Sequence, residues 1–100
     1  MAKKLPPFVE KYAGFDKELY DNVQNIAQTA FKEEGLDKKT GLLVAMAIDA
    51  VKGSSTGVAS LSNQARDAGA TDEEIRQVLR IAYYVAGMQT LSAGSAAFEE

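Results

Sequence analysis

Leu36-Asp37-Lys38-Lys39-Thr40-Gly41-Leu42-Leu43-Val44-Ala45-Met46-Ala47-Ile48-Asp49-Ala50-Val51-Lys52-Gly53 is the stretch whose reading decides the fold. Asp37 is a side-chain acceptor suited to cap a helix start, and Gly53 is a suitable stop. Between them the residues from Leu42 to Val51 are apolar nearly all round, broken only by Asp49. A helix without a polar face has to be covered on every side. A chain of 100 residues has little else with which to cover it. Homo-oligomerisation is therefore expected, with a central core helix of a monomer as the alternative. The run is also too short to span a bilayer.

The flanking sequence reads as further helices. Asp16 opens one whose apolar positions, Leu19, Val23, Ile26, Ala27, Ala30 and Phe31, draw a single stripe. Gly35 is expected to stop it. After Gly53, a weaker helix is marked by Val58, Leu61 and Ala65 and closes at Ala68-Gly69-Ala70. Thr71-Asp72-Glu73-Glu74 is a capping box for a fourth helix through Ile75, Val78, Leu79, Ala82 and Val85. Gly87 is expected to interrupt that helix, and a last one to run from about Met88 to Phe98. Residues 1–7 read as a polar, proline-terminated lead-in. No strand-like alternation stands out. The expected fold is all-α, about five helices in one domain over residues 1–100, with its core at about 5–98.

Two absences bound the chemistry. The chain has no Cys and no His. That excludes a thiolate nucleophile, a disulfide, an imidazole base and a His metal ligand. No cofactor or metal site is expected. The net charge of -3, with the basic residues scattered, argues against nucleic acid as a partner. With no secretory h-region and no spanning segment, the expected location is the cytoplasm.

The order of Leu36-Asp37-Lys38-Lys39-Thr40, Gly53-Ser54, Gly69-Ala70-Thr71-Asp72-Glu73-Glu74-Ile75 and Ala86-Gly87-Met88 resembles the carboxymuconolactone decarboxylase and alkylhydroperoxidase-D-like family. The Pro6-Pro7-Phe8 lead-in fits as well. The resemblance implies an all-α module that assembles as a trimer or hexamer. It also implies decarboxylase or thiol-dependent hydroperoxide reductase (peroxiredoxin-type) activity in the enzymes of the family. Their redox centre is a Cys-x-x-Cys pair with two His and a Glu. Carried onto this chain, the two Cys fall on Ser54 and Gly57, the His on Thr56 and Leu61, and the Glu on Leu42. All five positions depart from the pattern, so the dithiol reaction has no nucleophile here.

Candidate residues remain. Ser54, without a neighbouring base, reads as a helix cap before it reads as a nucleophile. The Ser54–Gly57 turn offers amides to an anion, as helix starts do. Asp49 is either a relocated acid or the ion-pair partner of Lys52 at i+3. Tyr83 and Tyr84 point about 100° apart and are expected to divide between core or pocket and a subunit contact. Met46 and Met88 read as core fillers. Two functions follow. One is binding or thiol-independent conversion of a small organic acid or lactone in a relict pocket, by Asp49, Tyr83 or Tyr84. The other is a catalytically silent oligomeric scaffold or partner protein, with the pocket filled by Leu42 and Leu61. Whether the chain is an enzyme stays open at this point.

Overall fold

A computed structural model describes residues 5–99. Among them all regular structure is helical. There are five α-helices: α1 Pro7–Glu10, α2 Lys17–Ala30, α3 Lys38–Lys52, α4 Ser55–Asp67 and α5 Asp72–Gly94. Short 3-10 turns occupy Lys11–Gly14 and Ser95–Phe98. Residues 1–4 of the expected lead-in fall outside the described residues. The chain divides into two compact units, Met1–Gly35 and Leu36–Glu100.

In the first unit, Pro7 takes the first position of α1, where its missing N–H costs nothing. A short helix thus begins at the last residue of the lead-in, where the first helix was expected only near Asp16. Asp16 caps α2 by accepting from the Leu19 amide (3.1 Å), and the Tyr20 hydroxyl donates to Glu10 (2.9 Å). α2 ends at Ala30 rather than running on to Gly35. Glu33 and Glu34 would place negative charge at the helix C-terminus, against its dipole, and the chain leaves the helix before them.

The second unit is α3, α4 and α5. Asp37 caps α3 by accepting from the Thr40 amide (2.8 Å). α3 closes in a Schellman motif. Gly53 takes a left-handed φ of 81°, its amide donates to the Ala50 carbonyl (3.1 Å), and the Ser54 amide donates to the Asp49 carbonyl (2.9 Å). α4 closes the same way. Gly69 has φ 105°, its amide donates to Arg66 (2.9 Å), and that of Ala70 donates to Ala65 (2.9 Å). Arg66 spans this second turn to Asp72 (3.1 Å). Leu42, Leu43, Met46, Ala65, Ala70 and Ile75 are its buried apolar side chains, with Leu42 and Met46 fully enclosed.

α5 departs from expectation. It runs unbroken through Gly87 for 23 residues, about 34 Å. A lone glycine inside a helix costs about 1 kcal/mol relative to alanine but does not end it. The endings of α3 and α4 use positive φ, which only Gly53 and Gly69 adopt among the described residues. Met88 consequently lies exposed, not in the core, and both Tyr83 (83% exposed) and Tyr84 are exposed. No helix among the described residues is long and apolar enough to cross a membrane.

Candidate functional site

The two motifs that open α3 and α5 form one device. In the capping box, the Glu74 amide donates to the Thr71 hydroxyl (3.0 Å) and the Thr71 amide donates to Glu74 Oε1 (2.9 Å). The second carboxylate oxygen of Glu74 accepts from Lys39 Nζ (2.9 Å), in the first turn of α3. A bridge 35 residues apart in sequence thus ties the two helix starts together. This role of Lys39 was not legible in the sequence, where Glu74 already had a complete local explanation.

The Thr71 amide first, and the Lys39 ammonium next, hold the Glu74 carboxyl below its ordinary value of 4.5. Because the folded value lies below the unfolded one, this stabilisation is present above the ordinary value and is lost as pH falls through the folded one. Thermal melts should therefore show a decline below about pH 4.5. Glu74→Gln should flatten that decline. A profile unchanged by the substitution would contradict the bridge.

At the other end of α3, the structure brings Asp49, Ser54 and Gly57 together. Ser54 is the N-cap of α4 and accepts from the Gly57 amide (3.3 Å), as the cap reading expected. Asp49 does not pair with Lys52: no ion pair joins them. Its half-buried carboxylate lies instead against Gly57, in the first turn of α4. A Cβ placed on Gly57 would stand 2.8 Å from Asp49 Cγ, closer than packing allows, and a tight 3.0 Å from Ser54 Oγ. The side chain at position 57 and the carboxylate at position 49 thus compete for one space. The Schellman turn folds the chain back so that an acid in the last turns of α3 meets the first turn of α4. There it complements the positive end of the helix dipole.

The other candidate positions do not join this cluster as chemistry. Leu42, where the resemblance would put the family's Glu, is fully buried. Leu61, where it would put the later His, is half-buried, and Thr56 is exposed. Among the described residues no group of three or more His, Cys, Asp or Glu is placed to hold a metal.

An apolar groove of about 330 Å³ lies along α3 and α5. Val44, Ala47 and Ile48 line it from α3, and Val78, Ile81 and Ala82 from α5. Val44, Ile48 and Val51 on α3 are about half exposed. The apolar face of α3 that the sequence left without a partner is thus open on this side.

Three comparisons with known proteins bear on this arrangement. The model of the carboxymuconolactone decarboxylase family matches residues 17–100. An uncharacterized protein of Methanocaldococcus jannaschii is 35% identical over 71 residues, covering 71% of this chain and 66% of that protein. The chain thus spans just under two thirds of that relative's length. No solved structure matches.

Proposed function

The chain belongs to the carboxymuconolactone decarboxylase family, and within that family we propose that it serves as a catalytically silent, self-assembling module, a homo-oligomer of trimer or hexamer size. One observation supports this reading: the chain's own side chains take up the space where the resemblance would put the redox centre. Hydrocarbon stands at Leu42, and the Asp49 carboxylate stands where a second thiol would have its Cβ. Peroxide reduction needs a thiolate and a resolving thiol, and the chain has no cysteine. Assembly is favoured by the groove and the exposed apolar residues of α3, because open apolar strips of this kind mark interaction surfaces.

The second reading, binding or conversion of a small organic acid or lactone, would use Asp49 with Tyr83 or Tyr84. Its strongest support is that Asp49 is half-buried without an ion-pair partner among the described residues. Against it, the start of α4 already holds an intrinsic anion, and a ligand carboxylate there would meet a like charge. The tyrosines are open to solvent.

Ile48→Asp tests the assembly. The introduced charge should shift the protein to a smaller species in sedimentation velocity, with its helicity unchanged. An unaltered sedimentation coefficient would sink the use of this face.

A further inference from the structure

α5 carries a second apolar stripe that its own chain does not use. Ile75, Val78 and Ala82 are its buried and half-buried apolar side chains. On another side lie Ile81, Tyr84, Met88 and Leu91, continued by Ser95 and Phe98 in the 3-10 turn that follows, spaced alternately three and four residues apart. That is the repeat by which one helix seats against another along a seam. The five large residues of this stripe are exposed, Phe98 to 90%. No charged residue occurs from Ile81 to Phe98. Gly87 and Gly94, seven apart, flank the stripe inside the helix. A Cβ on either would meet nothing in the chain, so nothing within one copy requires glycine there. Glycine leaves room there for the close approach of a second backbone.

We propose that the occupant is α5 of a second copy, lying antiparallel and related by a two-fold axis between Met88 and Leu91. This inference rests on the assembly reading above and specifies one of its contacts. The stripe is self-complementary in this register. Met88 meets Leu91 of the other copy, Tyr84 meets Ser95, and Ile81 meets Phe98. Each pair puts one heptad position against the other, and the bulk of Tyr84 falls opposite the small Ser95. The stripe also continues into the apolar groove, since Ile81 belongs to both. The same register brings the other copy's Phe98 beside that groove. At roughly 200 Å² per large apolar side chain, the exposed parts of the stripe, Val44 and Ile48 together amount to about 800 Å² per copy. A standard interface buries about the same area per partner. A two-fold contact cannot occur inside a lone trimer, so of the two assembly sizes it selects the hexamer.

A double variant, Tyr84→Cys with Ser95→Cys, tests the register without background, because the native chain has no cysteine. The two positions lie about 16 Å apart along one helix, far beyond disulfide reach within a chain. After mild oxidation the double variant should run as a covalent dimer that reductant reverses, and each single variant should stay at 10.7 kDa. Met88→Glu, with helicity retained, should halve the native mass. A covalent dimer from Tyr84→Cys alone would mean parallel pairing and overturn the proposal. So would a double variant that fails to cross-link, or an α5 that instead binds phosphatidylcholine–phosphatidylserine vesicles. If cross-linking fails while the native protein is still a homo-oligomer, only the α5 pairing is wrong. A monomeric native protein removes both readings.

Discussion

Leu42→Glu, which puts an acid where the resemblance would place the family's Glu, strongly destabilises the second unit at neutral pH. Leu42 is fully enclosed, in contact with no bulk water. An unpaired carboxylate there loses its hydration and finds no cation. Substitutions of that kind cost on the order of 4–5 kcal/mol. A domain of this size has only about 5–15 kcal/mol in total. Burial also pushes the introduced carboxyl's pKa up, so part of the stability should return on acidification, when the group is neutral. Leu42→Met, which keeps volume and polarity, should cost less than about 1.5 kcal/mol. Urea titrations of the three proteins, followed by circular dichroism at two pH values, separate these outcomes. A Leu42→Glu protein with a native midpoint at neutral pH would mean that the position is open to water and that the former centre still exists as a cavity.

Gly57→Ala destabilises the protein by about 1 kcal/mol or more, although alanine is the better helix former by about that amount. The new methyl enters the space of the Asp49 carboxylate and expels it from the first turn of α4. In an Asp49→Ala background that conflict is gone, and the same Gly57→Ala change should stabilise by up to about 1 kcal/mol. The change of sign is what a double-mutant cycle on two competing groups should show. Independent, additive effects would contradict the placement of Asp49. By the same reasoning, restoring the dithiol with Ser54→Cys and Gly57→Cys should not restore peroxide turnover. The second thiol has no room while Asp49 remains, and the relay acid is absent.

Helix boundaries were legible wherever a short-range side-chain contact makes them. Asp16, Asp37 and Thr71 each accept from an amide three residues on, and each was recognisable from composition alone. Glycine was legible only in part. Gly53 and Gly69 end helices, whereas Gly35 and Gly87 do not, and the difference is a backbone angle that depends on the following turn. Misreading Gly87 had a larger consequence. It split α5 in two and placed Met88 in a core that it never reaches. It also hid the stripe that runs from Ile81 through the supposed break. The use of Pro6-Pro7 as a helix start was available in the sequence and was passed over.

The missing thiols and imidazoles were legible in the composition, but the surroundings of Ser54 and Gly57 were not. Counting positions is enough to show that Ser54, Gly57, Thr56, Leu61 and Leu42 hold none of the redox groups. It does not show what stands there instead. Asp49 meets Gly57 eight positions away, across a turn whose direction is fixed by the left-handed Gly53. Helical spacing suggested Lys52 because i+3 neighbours share a face. The Schellman turn instead offers the carboxylate a helix start on the next element. The Lys39–Glu74 bridge escaped for a similar reason: its partners are local to nothing but the packed helices.

Native mass spectrometry of the protein, purified gently from its own host, tests the central claim most directly, because it reads copy number and retained ligand together. The account predicts a mass of three or six times 10.7 kDa, six if α5 pairs as proposed, with no small molecule held in stoichiometric amount. A monomer, or an assembly carrying a stoichiometric organic acid, would contradict it.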